Sequence, residues 1–495
     1  MKPSYTTSDS IVEYALRDRS GMYRARRVTM TAAKAFSCIV KAKPPVSPSV
    51  IPDFKYANVY LVLFAWYQLS GFTIVCVLRF LPGSVIVVCG VFALYLSAEE
   101  ERILRGFEGE ARARALEVIV RVGEALGASR LIEIKHAHIS GVSYENIGDF
   151  GVEFIESFRA LGARFSVPTS VNPVSYDVDD LSSIPGVTFE RSYVEAQEAI
   201  VRALRDMGAD LIFTCTPYYA GIPEVYGLKA GDHVAWGESS AVAYANSVLG
   251  IRTNREGGPL ALMAAIAGRT YYYGMHVEGE RKPTISYVLE PRVVLDEVEA
   301  GVLGELVARM HVGGRPPHVV ALFEGDSALK EFLAALGTVS DIAMAHIHNI
   351  TPENPGDEIK EVVKISYNML EEELREKMPT DEVDIVYIGC PHSSLEELMK
   401  LAKTLEGTGT IKARIVVSTS REVYLKALKL GLVERLRRAK ANIVRSSCLI
   451  VSPFANHNRG VKVATNSYKA YHYLSRKGVK AYLTRISYIK HLAKT

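Results

Sequence analysis

The sequence predicts an α/β fold, and two observations carry that prediction. From Ser97 onward, short apolar runs rich in Val, Ile and Leu alternate with longer segments of helical periodicity, the pattern of helices layered on sheets. Hydrophobic residues make up 48% and charged residues 23% of the 495 residues, which is ordinary for a globular protein with an ample core. A chain of this length corresponds to roughly three domains.

The elements follow in order from Ser97, which is predicted to cap a helix together with Glu100. Predicted helices cover 100–126, 149–161, 194–207, 357–377, 421–430 and 467–475. Predicted strands cover 131–134, 164–167, 211–214, 385–388, 414–418 and 442–451. This alternation indicates parallel sheets, in which ligand sites collect at the carboxyl ends of the strands.

Three cysteines lie at the edges of apolar, strand-like runs: Cys215, Cys390 and Cys448. Thiols at strand ends can converge although they are far apart in sequence. A cubane iron–sulfur cluster usually takes four thiolates, so three would leave one iron open for a substrate, like the open position of a catalytic zinc. Free cysteine is also among the most buried residue types, and no close C-x-x-C pair is present. A purely structural role for these thiols therefore stays open here.

Serines and glutamates stand just before two predicted helices. Cys390-Pro-His is followed by a capping box made by a serine at 393 or 394 and a glutamate three residues later. A helix beginning there would place Cys390 near its N-terminus, where the dipole favours thiolate over thiol. Glu238 and Ser239 stand at the mouth of another predicted helix. Serine before a helix is more often only a cap than part of a site.

Two further turns have residues suited to anions. The turn Gly141-Val142-Ser143 precedes a helix and can aim backbone N–H groups at a phosphate or carboxylate. Arg252 and Arg255 flank a turn rich in glycine, and arginine offers a carboxylate a bidentate fork. A surface turn with solvated arginines fits the same spacing equally well.

The first 96 residues differ from the rest. Residues 1–50 are polar, basic and irregular, and two uncharged runs follow at 59–78 and 80–96. The first run is long enough to span a bilayer, and it starts too deep in the chain for a signal peptide. We expect a prefix that precedes the working protein, translated from a mis-assigned start, with a membrane segment as the alternative. The catalytic core is expected at 97–495.

Composition and motifs exclude several classes of function. The formal net charge is +3 with dispersed Lys and Arg, which argues against a nucleic-acid surface. Six cysteines without close spacing do not form a secreted disulfide framework. No Walker loop, G-x-G-x-x-G or G-x-S-x-G motif is present. Glutamine occurs only as Gln68 and Gln197, and depletion of thermolabile amides is typical of hyperthermophiles.

A series of motifs points to a known family. The stretch 96–149 reads LSAEEERILRGFEGEARARALEVIVRVGEALGASRLIEIKHAHISGVSYENIGD. It is followed in order by VPTSVNP at 167–173, FTCTPY at 213–218, GESSAVAYANSVLGIRTNREGGP at 237–259, GRTYYYGMH at 268–276, IGCPHSS at 388–394 and ATNSYKAYHYL at 464–474. With these motifs the sequence resembles the large subunit of the aconitase X family from Leu96 almost to Thr495, and the prefix is unmatched.

The resemblance implies three α/β/α domains around a [4Fe–4S] cluster held by three cysteines. The positions that match those ligands are Cys215, Cys390 and Cys448. The positions that match the family's substrate pocket are Gly141, Val142, Ser143, Asn172, Pro173, Glu238, Ser239 and Lys469. The implied chemistry is dehydration of a hydroxy acid, with the open iron acting as a Lewis acid on the hydroxyl.

Roles for some of these residues follow from their chemistry. Glu238, beside Ser239, is expected to orient or protonate the leaving hydroxyl as a catalytic residue. Asn172 can donate a hydrogen bond to a carboxylate. Lys469 supplies positive charge for a phosphate or carboxylate.

Partner and substrate are also implied by the resemblance. Aconitase-like enzymes carry a swivelling domain with a serine base, and the match leaves no room for it, so we expect a small partner subunit. Archaeal two-subunit relatives dehydrate (R)-5-phosphomevalonate to trans-anhydromevalonate 5-phosphate in the mevalonate pathway of isoprenoid synthesis. Bacterial relatives dehydrate cis-3-hydroxy-L-proline. The hyperthermophile-like composition favours the phosphorylated hydroxy acid. The change of character at Ser97 and the unmatched prefix favour a soluble, cytoplasmic enzyme. A non-catalytic iron–sulfur or membrane-anchored binding protein is the alternative from another class.

Overall fold

The structure is a computed structural model that describes residues 94–407 and 412–492 in full. Before residue 94 it describes only the backbone of strands Ser10–Arg17, Tyr23–Met30, Tyr60–Leu63, Thr73–Leu81 and Ser84–Phe92. The chain divides into two compact units, Met1–Tyr95 with Val122–Arg130, and Leu96–Arg121 with Leu131–Thr495.

The strands of the first unit are antiparallel. Ser10–Arg17 pairs with Tyr23–Met30, and Thr73–Leu81 lies between Tyr60–Leu63 and Ser84–Phe92. Up to residue 93, the two uncharged runs are therefore strands where their backbone is described. Residues 94–96 follow the last strand, and the other residues of the runs, with most of 1–50, lie outside the described part. Across the described residues, no helix combines the length and the apolar character needed to cross a membrane.

From Leu94 onward helices and strands alternate, which confirms the α/β class. The α-helices are Ala98–Leu104, Glu110–Leu126, Tyr144–Ala160, Arg191–Met207, Ile222–Val225, Ser239–Tyr244, Gly257–Ala267, Glu297–Met310, Gly325–Val339, Tyr367–Lys377, Leu395–Leu405, Arg421–Lys429, Leu432–Arg438, Phe454–His457, Tyr468–Arg476 and Ile489–Leu492. A π-helical turn covers Ala245–Leu249, and 3₁₀ turns cover Gly274–His276, Glu278–Arg281 and Ile486–Tyr488.

Three parallel sheets organise the second unit. The first has the order Thr169–Val171, Ala137–Ile139, Ala235–Trp236. The second has the order His346–Ile347, His318–Val320, Ile285–Glu290, Glu361–Ser366. The third has the order Asn442–Val444, Arg414–Thr419, Ile385–Ser393, Lys462–Thr465, Lys480–Leu483. Short pairs join Leu131–Glu133 to Arg269–Tyr271 (antiparallel) and Val294–Leu295 to Leu322–Phe323 (parallel).

The largest core cluster lies around two buried helices, Glu297–Met310 and Gly325–Val339. These helices approach closely because Gly304 has no side chain: a Cβ there would collide with the carbonyl oxygen of Phe332. Phe332 itself is fully buried between them and the second sheet. Burying a side chain of this size contributes roughly 1.5–3 kcal/mol relative to leaving it exposed.

Two predicted caps are confirmed. Ser97 accepts from the Glu100 backbone N–H, and the Glu100 carboxylate accepts from that of Ser97. Of the two boxes possible after Cys390, the structure forms the one between Ser394 and Glu397. The sequence predicted the existence of this helix but not its register, because both serines are followed three residues later by a glutamate.

Several predicted elements are wrong in detail. The helix predicted at 100–126 is split in two at Gly106 and Gly109, both at positive φ. The segment predicted as helix at 357–377 begins instead as strand Glu361–Ser366, which pairs with a neighbouring strand. No strand forms at 164–167 or at 211–214. In the latter segment Phe213 has φ 46°, which breaks the pleat just before Cys215.

The backbone conformation directly before Cys390 requires a glycine at position 389. Its φ is +111°, and a Cβ there would collide with the carbonyl oxygen of Ser418 on the neighbouring strand. The close approach of these two strands therefore depends on the absence of a side chain.

We expect Gly389→Ala to destabilise the protein strongly. The left-handed backbone costs roughly 1–2 kcal/mol and overpacking adds about 1–3 kcal/mol. Gly460→Ala is the matched control, because Gly460 also has positive φ, +80°, but a Cβ at this position would have no atom within 4 Å. Thermal unfolding of both variants measures the difference, and equal losses would contradict the proposed collision.

Candidate active site

One cavity of about 530 Å³ collects most of the predicted site residues. It is lined by Ser140, Gly141, Asn146, Asn172, Pro173, Cys215, Gly237, Glu238, Ser239, Arg255, Glu256, Gly257, Cys390, Cys448, Ile450, Val451, Lys469, Tyr473 and Lys477. Its volume is in the usual range for a small-molecule site, about 300–1,000 Å³.

The carboxyl ends of two parallel sheets supply these residues. In the first sheet, Gly141 follows strand Ala137–Ile139, Asn172 follows Thr169–Val171, and Glu238 follows Ala235–Trp236. Side chains distant in sequence meet there because parallel strands end at the same edge.

The third sheet contributes from its own carboxyl edge. Cys390 lies in the last part of strand Ile385–Ser393, Cys448 follows Asn442–Val444, and Lys469 lies in the helix after Lys462–Thr465. Cys448 was predicted to open a strand that continues to 451, but the strand ends at Val444 and the cysteine lies in the loop beyond it.

The three cysteines are free and buried, with exposures of 9% for Cys215, 5% for Cys390 and 4% for Cys448. Burial, together with the charge of Glu238, raises the pKa of the Cys215 thiol to about 12. Burial also raises the pKa of Cys390 well above its usual value. At Cys390, desolvation thus acts against the helix dipole that was expected to favour the thiolate.

His392 connects the loops that carry these thiols. Its Nδ1 lies 3.1 Å from the hydroxyl of Thr214, next to Cys215, and its Nε2 lies 3.1 Å from the carbonyl oxygen of Ser447, next to Cys448. Its own backbone N–H donates to the sulfur of Cys215 at 3.3 Å. The ring is fully buried, and burial lowers the pKa of His392 to about 4, so the imidazole is neutral at neutral pH.

Glu238 and Lys469 form an ion pair at the cavity wall, with side chains only 15% and 8% exposed. Asn172 donates to the second carboxylate oxygen of Glu238 at 2.8 Å, and Ser239 donates to the first at 3.3 Å. Burial would raise the pKa of Glu238, but the Lys469 ammonium and the hydrogen bonds from Asn172 and Ser240 lower it to about 2. The carboxylate is therefore ionised throughout the neutral range.

Lys469 is correspondingly held as an ammonium. Burial would lower its pKa, but the charge of Glu238 outweighs burial and holds the pKa above its usual value. The hydroxyls of Ser239 and Ser240 lie 3.4 and 3.3 Å from the ammonium nitrogen. A buried pair of this kind is stabilising only when such hydrogen bonds satisfy its remaining groups.

His138 orients the side-chain amide of Asn172. His138 Nε2 lies 2.8 Å from the amide oxygen of Asn172, and His138 Nδ1 lies 2.8 Å from the hydroxyl of Ser170. Burial lowers the pKa of His138 to about 4, so its ring is neutral and one nitrogen donates while the other accepts. The amide oxygen of Asn172 faces His138, and its nitrogen faces Glu238.

Within the turn 141–143, only Gly141 lines the cavity. Val142 and Ser143 are buried beside it, and the Ser143 hydroxyl contacts the hydroxyl of Ser175 at 2.9 Å. The first-turn amides of the following helix already have acceptors, since Tyr144 N–H donates to Gln197 and Glu145 N–H donates to Ser175.

Sequence reasoning missed several residues of this site. His392 and His138 gave no signal beyond lying in motifs, because their partners are distant in sequence. Tyr473 and Lys477 line the cavity about one and two turns beyond Lys469, and an i, i+4, i+8 spacing on a predicted helix could have found them. Arg252 does not line the cavity, whereas Arg255 does.

Comparison with known proteins identifies the chain's relatives. Models of the first, second and third domains of aconitase X match residues 93–279, 283–375 and 383–494. A protein of Aeropyrum pernix named phosphomevalonate dehydratase large subunit is 58% identical over 400 residues, covering 81% of this chain and 100% of the relative. A cis-3-hydroxy-L-proline dehydratase of Pseudomonas aeruginosa is 32% identical over 394 residues, covering 76% of this chain and 66% of the relative.

A solved structure is also similar. The crystal structure of Thermococcus kodakaraensis aconitase X in its holo-form superimposes with a TM-score of 0.73 at 38% identity, covering 80% of this chain and 99% of the other. The chain belongs to the aconitase X family.

Proposed function

We propose that this chain is the large subunit of a hydro-lyase that converts (R)-5-phosphomevalonate to trans-anhydromevalonate 5-phosphate. The observation that carries the proposal is the 58% identity over the full length of the Aeropyrum pernix relative of that name. The cavity supports it, because buried thiols, an ion pair and further cations line one volume. The name of the relative includes "large subunit", which supports a small partner subunit for this chain as well.

The thiols fit a [4Fe–4S] cluster held by Cys215, Cys390 and Cys448. They come from separate segments of the chain, are free, and line one cavity. Among the described residues, no group of His, Cys, Asp or Glu is arranged to hold a single metal ion. A cubane cluster does not need its ligands to meet at one metal ion, because its thiolates bind separate irons at separate corners. When bound, the cluster supplies a Lewis acid for the substrate hydroxyl.

Glu238 orients the substrate hydroxyl by accepting a hydrogen bond. A pKa near 2 makes it a poor proton donor in the resting ion pair, so orientation is favoured over protonation. Lys469 is the proton-bearing group beside it and donates to the departing oxygen or to the substrate carboxylate. Ser239 donates to Glu238 and keeps the carboxylate in this position. The base that removes the carbon-bound proton is a serine of the small subunit's swivelling domain.

The first test is turnover. The chain purified anaerobically with its small subunit should convert (R)-5-phosphomevalonate to a product lighter by one water in the mass spectrum, without a nucleotide. The chain alone should be inactive, because the base is missing. We also propose that residues 97–495 are the catalytic core, so that fragment with the small subunit should match the full chain.

Other outcomes are informative. A complex that dehydrates cis-3-hydroxy-L-proline and ignores the phosphate ester would overturn the substrate. A complex that carries iron and dehydrates neither compound would favour a binding protein. An inactive 97–495 fragment beside an active full chain would overturn the proposed core boundary.

A second prediction concerns the thiols. Replacing Cys215, Cys390 or Cys448 singly by serine should abolish activity and most of the visible absorbance, because a hydroxyl is a poor ligand for iron. Cys38→Ser, in the prefix, is the control and should retain both. Iron and sulfide analysis gives a readout independent of turnover. Full iron content in all three serine variants would refute shared ligation.

A third prediction concerns Lys469. Lys469→Met should lower kcat/KM by about 10- to 150-fold, the loss of a charge-assisted hydrogen bond. It should also raise the pKa of Glu238, since burial then acts without the opposing ammonium. The wild-type carboxylate stays ionised down to about pH 2, whereas the variant should show an acid limb of activity at higher pH. Lys480→Met, at an exposed position, is the control. An unchanged pH profile would contradict the assigned ion pair.

A further inference from the structure

The charged residues of the cavity are not all neutralised. Lys469 is paired with Glu238. Glu256 also lines the cavity, and both of its carboxylate oxygens accept hydrogen bonds, from the hydroxyls of Thr270 at 3.0 Å and Tyr271 at 2.9 Å. Two cations remain, Arg255 and Lys477, which line the same cavity.

Among the described residues, both of these cations bond to neutral carbonyl groups alone. Arg255 Nη1 donates to the carbonyl oxygen of Ser340 at 2.7 Å, and Lys477 Nζ donates to that of Ile450 at 3.1 Å. In the described part of the chain, neither has an ion-pair partner. Arginine has five N–H donors and lysine has three, so each keeps donors for a ligand.

Both cations are more exposed to solvent than the thiols. The cysteines are buried, whereas Arg255 is exposed and Lys477 is half-buried, so the cations lie nearer the mouth of the cavity. A substrate whose hydroxyl reaches the cysteines would extend its other end toward these cations. In a hydroxy acid phosphorylated at the far end of a short carbon chain, that end is the phosphate.

The backbone next to Arg255 also carries a partial positive charge, because a helix begins there. Gly257, next to Arg255, begins helix Gly257–Ala267 and lines the cavity. No described side chain caps this helix. By contrast, Glu238 caps helix Ser239–Tyr244, and the first amides of helix Tyr144–Ala160 donate to Gln197 and Ser175. The partial positive charge at the N-terminus of Gly257–Ala267 adds to that of the two cations.

We propose that Arg255 and Lys477 form the phosphate subsite of this cavity and select phosphorylated substrates. The inference rests on the proposed function. A phosphate monoester carries about −1.5 to −2 charges at neutral pH, which two cations balance. Lys469, which has Glu238 as counter-charge, is left for the hydroxy-acid end.

The test measures KM and kcat for (R)-5-phosphomevalonate in the complex with the small subunit. Arg255→Gln and Lys477→Gln should each raise KM by about 10- to 150-fold with little change in kcat, because the phosphate is bound equally in ground and transition states. Arg255→Lys should recover part of the loss. Arg476→Gln is the control: it removes the same charge from an exposed position beside Lys477 that does not line the cavity. Unchanged KM values in both cation variants would overturn the subsite.

Calorimetric titration separates this inference from the reaction. Inorganic phosphate and the phosphate ester should bind the wild-type complex more tightly than they bind either cation variant, whether or not turnover occurs. Equal affinities would overturn the subsite. Tight binding without dehydration would overturn the proposed function and leave the subsite standing. Thermal unfolding of each variant shows that its fold is intact.

Discussion

The geometry of the site depends on the contacts that the neutral imidazole of His392 makes with two distant segments of the chain. It is fully buried, and its two ring nitrogens contact the segments beside Cys215 and Cys448 while its backbone lies two residues after Cys390. These segments are distant in sequence, and the ring joins them at one point. The carbonyl oxygen of Ser447 can only accept a hydrogen bond, so Nε2 carries the proton of the neutral ring and Nδ1 accepts from the hydroxyl of Thr214. Burial lowers the pKa of His392, and the neutral ring that results makes both contacts.

The ion pair of Glu238 and Lys469 joins the two sheets that supply the cavity. Glu238 follows a strand of the first sheet and Lys469 follows a strand of the third. Leaving either charge buried without the other would cost several kcal/mol, so the pair couples the position of one sheet edge to that of the other. The same pairing fits the proposed chemistry: the ionised carboxylate can accept a hydrogen bond from a hydroxyl and orient it, and the ammonium can donate to an oxygen. The cations that have no such partner are then available for a second anionic group of the substrate.

Much of the candidate site could be predicted from the sequence, and the reason differs between residues. The cysteines stood at strand-like edges, and the resemblance to aconitase X named the same positions. Local signals also identified the caps at Ser97 and near Ser394, because a cap depends on residues within one turn. The strand before Cys215 was predicted wrongly, since an apolar run reads as a strand although Phe213 leaves the β region. The helix predicted at 357–377 forms only over Tyr367–Lys377, because pairing of Glu361–Ser366 with a neighbouring strand overrode local periodicity in the first half.

By itself, the sequence determined the α/β class, the change of character at Ser97, and the side chains able to bind iron or an anion. These properties depend on composition and on patterns within a few residues. Only the tertiary structure decided which charges are neutralised and which are left for a ligand. Lys469 and Lys477 lie at the two ends of one helix, yet the first meets Glu238 and the second meets a carbonyl oxygen. That distinction arises from strands that end at a common edge, and no spacing along the chain encodes it.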